Sequence, residues 1–159
     1  MDDEIQRIKG ILRKVRQTHT EPEYDVALSY ASEDRAYVEQ VAEVLKQHGI
    51  RVFYDRDEEQ VVDGWGKNLY EHLNQVYRKL ARYTIMFISA HYATKVWTTV
   101  ERRSAQARAF KENYEYILPA RFDDTELPGL LETAYVSLKN LLPTQVAEMI
   151  RKKVESRRI

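Results

Sequence analysis

Trp97 and Glu101 stand four residues apart in a stretch that is predicted to be helical. Residues at this spacing lie on one face of a helix, so the indole ring and the carboxylate can border the same crevice. A carboxylate beside an aromatic wall and partly shielded from water suits cleavage of an N-glycosidic bond, because it stabilises an oxocarbenium-like transition state. Spacing alone favours a plainer alternative, in which Glu101 is a solvated helix residue paired with Arg102 or Arg103.

Several other kinds of site are excluded by the sequence. The chain has no cysteine, which rules out disulfides, thiolate metal sites and a cysteine nucleophile. The four histidines lack metal-ligand spacing, and we expect no metal site. The glycine motifs of dinucleotide-binding proteins, phosphate-binding loops and serine hydrolases are absent. A phospho-acceptor receiver domain would need acidic residues where this chain has Ser29, Tyr30 and Ser89.

Length and charge limit the organisation of the chain and its partners. The 159 residues suit one domain, and 25 basic residues balance 25 acidic ones. A chain without net charge is a poor candidate for binding nucleic acid or an anionic membrane. The apolar runs are too short to span a bilayer, and the start, MDDEIQRIKG, is unlike a signal peptide. With no cysteine present, we expect a cytoplasmic protein.

Strands and helices alternate from Tyr24 onward. The predicted strands are 26–30, 51–54, 84–88, 116–119 and 134–138, and Pro119 is expected at a strand end because it lacks a ladder donor. Helices are predicted after the first strand up to Gly49, at 69–80, at 94–111 and from Pro143 onward. The long crossovers predict a flavodoxin-like, doubly wound α/β fold, with a parallel five-stranded sheet in the order 2-1-3-4-5 and helices on both faces.

In such a sheet, ligands bind beyond the carboxyl ends of the strands, at the switch between strands one and three. This rule points to three places: the turn after Tyr30, the loop after Tyr54 and the loop after Ile88. Four motifs follow one another along the chain. They are 24–34 (YDVALSYASED), 52–55 (VFYD), 87–89 (FIS) followed by Trp97-x-x-x-Glu101, and 121–124 (RFDD) followed by 127–130 (LPGL). In this order they resemble Toll/interleukin-1 receptor (TIR) domains. The resemblance covers about 24–155 and assigns 24–159 to a TIR domain. Residues 1–23 are predicted to be an amphipathic helix with a connector, because apolar residues fall at helical spacing there: Ile5, Ile8, Ile11, Leu12 and Val15.

The resemblance implies a prokaryotic TIR domain that cleaves NAD⁺, with Glu101 as the catalytic carboxylate and Trp97 shaping the nicotinamide side of the pocket. Nicotinamide leaves a cationic ring as a neutral group, so no second carboxylate is needed to protonate it, unlike in ordinary glycosidases. NAD⁺ is then a substrate, and no cofactor is expected. Linear ADP-ribose, a cyclic isomer and a conjugate all stay open as products. Related proteins act in antiviral defence, including Thoeris-type systems whose ADP-ribose-derived signal is sensed by a separate effector.

The resemblance also marks further positions. The substrate-binding candidates are Tyr30, Ala31, Ser32, Ser89, Tyr92, Asp55 and Trp65. Ala31 stands where several enzymatic members have an arginine, so a phosphate or ribose contact is missing there or comes from elsewhere. The BB loop, which follows the second strand, borders the nicotinamide end and mediates TIR–TIR contacts in the family. Asp63, Gly64 and Trp65 are its interface candidates.

Most of these positions have a structural alternative. Ser32 can be a helix N-cap, and Asp55 can bind the backbone of its own loop. Trp65 can pack on the second helix, and Tyr92 can have a capping or surface role beside His91. Asp123 and Asp124 are expected in a turn or as a short-helix cap.

Charge is segregated along the chain although its sum is zero. The BB loop carries five acidic residues against Arg56, whereas the third helix and the tail are basic. Solvated faces account for much of this pattern, but opposite patches can also assemble subunits head to tail. The resemblance also implies an alternative function, that of a non-enzymatic TIR adaptor which mediates TIR–TIR interactions.

Overall fold

The computed structural model describes residues 3–9, 22–54, 80–96, 108, 111, 115–126 and 135–156. Its strands are Tyr24–Ser29 (β1), Val52–Phe53 (β2), Ala81–Ile88 (β3), Ile117–Arg121 (β4) and Val136–Ser137 (β5). Its helices are Arg35–Gln47 (α1), Ala90–Val96 (α2) and Pro143–Glu155 (α3), and a 3₁₀ turn, Ser32–Asp34, precedes α1. Of the predicted second helix only Leu80 is described, and it is helical.

The five strands form one parallel sheet in the order β2-β1-β3-β4-β5. Val26 of β1 pairs with Val52 on one side and with Tyr83 on the other. From β3 the sheet continues through β4 to β5, so the direction of winding reverses between β1 and β3. This arrangement confirms the predicted flavodoxin-like fold and its strand order.

One face of the sheet is covered by α1 and α3. Alternate residues of a strand point to the same face, and Val26, Leu28 and Tyr30 all contribute to the buried cluster on this side. The helices contribute apolar residues at helical spacing: Val38, Val41, Ala42 and Leu45 from α1, and Val146, Ala147, Ile150 and Val154 from α3. The apolar faces that the sequence predicts for these two helices are thus confirmed.

The opposite face carries the intervening strand residues. Ala27, Met86 and Ile88 are buried but lie outside the cluster of the first face. Ser29 belongs to this second set by alternation, and it contacts Tyr92 of α2. The sheet therefore has helices on both faces, as a parallel sheet requires.

Gly49 ends the first helix, as predicted. Its φ of +78° is in the left-handed region, which residues with a Cβ adopt at a cost. The Gly49 N–H donates to the Lys46 carbonyl, and the Ile50 N–H donates to the Leu45 carbonyl. This pair of bonds is a Schellman motif, which satisfies carbonyl groups at the end of the helix and turns the chain toward β2.

The helix predicted from residue 94 begins earlier in the structure. It starts at Ala90, so the predicted start at residue 94 is wrong, and His91 and Tyr92 are helical. The reason is a cap, since Ser89 accepts a hydrogen bond from the Tyr92 N–H and so begins the helix directly after β3. Positions 108 and 111, the other described positions of this predicted helix, are helical.

Pro119 lies inside β4 rather than at its end, and that prediction is wrong. The Phe122 N–H donates to Ile88 of β3, while the Arg121 carbonyl accepts from Leu138 next to β5. Donors alternate between the two neighbours of a strand, so the Pro119 nitrogen faces the β5 side. The pairing with β5 is described only from Ala120 onward, so no described ladder bond needs a donor at Pro119.

Residues 3–9 form a helical segment in which Ile5 and Ile8 are about half exposed, at 49% and 51%. The amphipathic helix with its connector and the domain boundary at residue 23 stay predictions. Within the described residues, no helix is both long and apolar enough to cross a membrane.

Candidate functional site

Two loops leave the sheet side by side at the carboxyl ends of β1 and β3, where the winding reverses. After β1 the chain passes through Tyr30 and Ala31 into the 3₁₀ turn, and after β3 it passes through Ser89 into α2. The Ser89 Oγ donates a hydrogen bond to the Asp34 Oδ2 at 2.6 Å. This contact joins the two loops across the switch point of the sheet.

Ser89 is also the N-cap of α2. Its Oγ accepts a hydrogen bond from the Tyr92 N–H at 3.2 Å, and its carbonyl accepts one from the Ala93 N–H at 3.0 Å. The first N–H groups of a helix have no partner within the helix, and a serine at this position supplies one. Because the same hydroxyl donates to Asp34, the side chain is held from both sides.

The Asp34 carboxylate is half-buried beside charged neighbours. Burial raises the pKa of Asp34 above its ordinary value of 3.8, although the hydrogen bond from Ser89 and the nearby His91 act in the opposite direction. Glu33 and Asp123 add to the rise because like charges disfavour ionisation. The surroundings of Asp34 thus disfavour its ionised form in the folded protein.

Behind this contact, Ser29 and Tyr92 share a buried hydrogen bond of 2.8 Å between their hydroxyl oxygens. Both side chains are fully buried. Burial raises the pKa of the Tyr92 hydroxyl, so this group stays neutral at ordinary pH. The surface role that the sequence left open for Tyr92 is therefore wrong, whereas His91 next to it is exposed.

Asp123 reaches the same helix from the loop after β4. Its Oδ2 accepts from the Ala90 N–H and its Oδ1 from the Thr125 N–H, each at 3.0 Å. Burial by itself would raise the pKa of Asp123, but the hydrogen bonds from Thr125 and Ala90 outweigh it and lower the pKa. The neighbouring Asp124 instead pairs with Lys139 at 2.8 Å on the exposed side.

Tyr30 is fully buried next to Tyr54, which follows β2, with ring centroids 5.4 Å apart. Burial raises the pKa of the Tyr54 hydroxyl, and its neighbour Tyr30 adds to the shift. The alternative that Ser32 caps the first helix is wrong. The chain makes a 3₁₀ turn first, so Ser32 lies inside that turn, which has Ala31 at its N-cap position.

A comparison with protein families identifies the chain. The TIR domain family matches residues 26–152, from β1 into α3. The chain belongs to the TIR-domain family. Three of the four motifs from which the sequence predicted this membership lie within the matched residues, and the first, 24–34, overlaps them from residue 26.

Characterised TIR relatives come from several bacteria. A protein named 3′ cyclic ADP-D-ribose synthase AaTIR, from Aquimarina amphilecti, is 57% identical over 84% of this chain and 40% of its own length. One named 2′ cyclic ADP-D-ribose synthase AbTIR, from Acinetobacter baumannii, is 35% identical over 63% of this chain and 35% of its own. One named NAD(+) hydrolase TirS, from Staphylococcus aureus, is 30% identical over 74% of this chain and 40% of its own length.

These relatives are longer proteins, and this TIR domain chain spans well under half of each. Among solved structures, a CheY-like response regulator receiver domain from Methanospirillum hungatei is similar, with a TM-score of 0.49 and 13% identity. That likeness covers 84% of this chain and 95% of the receiver domain.

The structure brings five of the predicted site residues to one edge of the TIR domain. Tyr30, Ala31, Ser89 and Tyr92 are buried there, and Ser32 is half-buried in the turn. The other predicted residues lie outside the described part of the chain: Glu101, Trp97, Asp55, Asp63, Gly64 and Trp65. Their roles stay predictions, as do the substrate contacts of the five that are described.

The sequence analysis missed three contacts at this edge: the hydrogen bond of Ser29 with Tyr92, that of Asp34 with Ser89, and that of Asp123 with the Ala90 N–H. The sequence analysis placed Asp34 in the segment 24–34 and assigned it no role. A usable signal was present, because polar residues that follow neighbouring parallel strands meet at one edge of the sheet. Among the described side chains, no group of three acidic or histidine residues is placed to hold a metal ion.

Proposed function

We propose that this TIR domain cleaves the bond between nicotinamide and ribose in NAD⁺. The observation that carries the proposal is the 57% identity, over 84% of the chain, to a relative named as a cyclic ADP-ribose synthase. A more distant relative is named as an NAD(+) hydrolase. The chain also has Trp97-x-x-x-Glu101 inside the matched region, at the spacing that suits this chemistry.

In the proposed reaction the Glu101 carboxylate stabilises the positive charge that develops on the ribose as nicotinamide leaves. The leaving group departs as a neutral molecule, so the reaction needs no acid to protonate it. Trp97 shapes the nicotinamide side of the pocket, and the carboxyl edge of the sheet beside the loops after β1 and β3 receives the rest of the dinucleotide. The proposal uses NAD⁺ as substrate and requires no further cofactor.

The product follows from what attacks the ribose after nicotinamide has left. Attack by water gives linear ADP-ribose, whereas attack by a hydroxyl of the same molecule gives a cyclic isomer. We favour a 3′ cyclic ADP-ribose, because the 57% identical relative is named as a synthase of that isomer. In the proposed role, a separate effector senses this signal in bacterial antiviral defence. The reaction and the sensing both take place in the cytoplasm.

The alternative proposal is a non-enzymatic adaptor that acts through TIR–TIR contacts. Its support is the segregation of charge between the acidic BB loop and the basic segment 102–111, which belongs to the helix predicted at 94–111. Self-association is compatible with both proposals, because assembly can also activate an enzyme. The two differ in whether Glu101 is needed for anything besides assembly.

Glu101→Gln tests the proposal with the least change in shape. We expect nicotinamide release from NAD⁺ to fall by a factor of about 10² or more, since a group that stabilises transition-state charge is lost. The full chain is assayed over a range of protein concentrations and under crowding, so that assembly does not limit turnover. Mass spectrometry of the products separates linear from cyclic ADP-ribose.

Glu43→Gln is the matched control, because Glu43 is an exposed residue of α1 away from the switch point. It is expected to keep wild-type turnover. Equal turnover in the Glu101→Gln variant would contradict the catalytic role of Glu101. An assembled wild-type protein without turnover under all these conditions would favour the adaptor.

A further inference from the structure

An apolar groove lies between α3 and the strands β3, β4 and β5. It has a volume of about 240 Å³, and its lining includes Leu118, Val136, Met149 and Ile150. The Met149 side chain is 44% exposed here, which leaves apolar surface in contact with water. An apolar cavity of about 150 Å³ is large enough to hold a benzene molecule. The groove can therefore take apolar side chains from a binding partner.

The helical segment 3–9 presents an apolar face to solvent. Every residue of this segment is exposed, and Ile5 and Ile8 are each about half exposed. These two residues stand three apart, so they lie on one face of the helix. A single exposed isoleucine would be ordinary on a protein surface. A short helix, however, is marginal in water unless its apolar face packs on another surface, so this segment needs a partner.

We propose that the groove binds the segment 3–9 of a second copy of the chain, with Ile5 and Ile8 inside the groove. In a single copy both surfaces are open to solvent, and one is a ridge where the other is a groove. A contact between two different surfaces of identical chains repeats from copy to copy, head to tail. It uses neither the acidic segment 55–63 nor the basic segment 102–111, and it does not depend on NAD⁺ cleavage.

Complementary charge fixes the direction in which the segment docks. Of the described residues that line the groove, only Lys153 is charged, and Lys152 stands next to it in the last turn of α3. The segment begins with Asp3 and Glu4. An orientation antiparallel to α3 places these two carboxylates beside the two lysines. It also keeps the basic side chains at the other end of the segment away from the lysines.

Disulfide cross-linking tests this contact in the full chain, which has no cysteine of its own. Ile8→Cys protein and Met149→Cys protein, one of them with a larger tag, are mixed in about 0.5 M salt, which screens contacts between exposed charges. A disulfide needs Cα atoms within about 7 Å of each other, so we expect bonds between positions 8 and 149 to form roughly tenfold faster than bonds between two identical positions.

Thr144→Cys is the matched control for Met149→Cys, because Thr144 is an exposed residue of α3 that does not line the groove. Equal cross-linking of Ile8→Cys to positions 144 and 149 would overturn the proposal. Faster bonds between two copies of position 8 would also overturn it, since the segments would then pair with each other. A chain with both Ile8→Cys and Met149→Cys must not close a disulfide within itself, because the segment would then occupy the groove of its own chain.

A second measurement uses no cysteine. Ile8→Asp damages the segment and Met149→Asp damages the groove, and both positions are exposed, so the fold should be kept. Each variant alone should associate at least about tenfold more weakly than wild type in sedimentation velocity, because burying an unpaired carboxylate is costly. An equimolar mixture should form pairs, since each variant keeps the surface that the other lacks. A mixture that associates no better than the single variants, or a wild-type protein that stays monomeric, would overturn the proposal.

Discussion

At the scale of single residues, Asp34 and Asp123 show opposite outcomes of the same competition. Both are carboxylates at the carboxyl edge of the sheet, where burial opposes ionisation and hydrogen bonds favour it. For Asp34 burial is the stronger effect and the pKa rises, whereas for Asp123 the bonds from Thr125 and Ala90 are stronger and the pKa falls. Residue type alone would not separate these two cases.

The raised pKa of Asp34 predicts a pH-dependent difference in stability between wild-type protein and Asp34→Asn. The folded state favours protonated Asp34, so this stabilising contribution is complete below the unfolded pKa of 3.8 and is lost as pH rises through the folded pKa. Asn cannot ionise. The melting temperature of Asp34→Asn minus that of wild type should therefore increase from about pH 3 to pH 7.

The measurement is thermal unfolding of both proteins in the same buffers, so that the effects of other titrating groups on the melting temperature cancel in the difference. His91, Glu33 and Asp123 face Asp34 and are present in both. Asp123→Asn is the matched opposite case, because its lowered pKa gives stability that is present above pH 3.8 and lost as pH falls. A difference for Asp34→Asn that shrinks toward neutral pH would contradict the assigned direction.

At the scale of elements, the structure shows how α2 is attached to the sheet. The Ser29–Tyr92 hydrogen bond joins the end of β1 to the helix that follows β3, across 63 residues of sequence. Both hydroxyls are buried, so each depends on the other for a partner. Removing this bond therefore tests how the helix packs on the sheet, independently of the Asp34–Ser89 contact.

We expect Tyr92→Phe and Ser29→Ala each to lower the free energy of unfolding by about 1–3 kcal/mol, because each leaves one buried hydroxyl without its partner. The double variant should lose less than the sum of the two, since both polar groups are then gone. Urea unfolding of the four proteins measures this coupling. Additive losses would show that the two hydroxyls do not stabilise each other.

The elements themselves were largely predictable, and their ends were not. The apolar faces of α1 and α3 and the stop at Gly49 follow from patterns a few residues long. The strand order follows from the long crossovers between strands and helices that alternate. The start of α2 was misplaced because a capping serine directly after a strand was not recognised at Ser89. Pro119 was misplaced because its permitted position depends on which side of β4 has a neighbour.

At the scale of the whole molecule, the zero net charge is the sum of two regions with opposite charge. The segment 55–63 is acidic, while the predicted third helix carries Arg102, Arg103, Arg108 and Lys111 after Glu101. The described positions 108 and 111 are both exposed. Exposed charges of opposite sign attract over roughly 10 Å at moderate salt, so they can steer copies of the chain together.

We predict that self-association, and with it NAD⁺ turnover per molecule, weakens between about 0.05 M and about 0.5 M salt because surface charges are screened. Sedimentation velocity measures the assembly. Replacing Glu58 and Glu59 with Lys should abolish it, and adding Arg108→Glu and Lys111→Glu to the same chain should restore it. Assembly that is indifferent to salt and to charge reversal would show that these regions do not form the interface.

The sequence by itself determined the fold class, the order of the elements and membership of the TIR family, because these rest on local periodicity and on motifs that can be recognised along the chain. Only the tertiary structure decided which polar groups meet. Asp34 and Ser89 are 55 residues apart, and Ala90 and Asp123 are 33 apart. Such contacts depend on strand neighbours, on the face to which each side chain points and on where a helix begins, and none of these is encoded in a single stretch of residues.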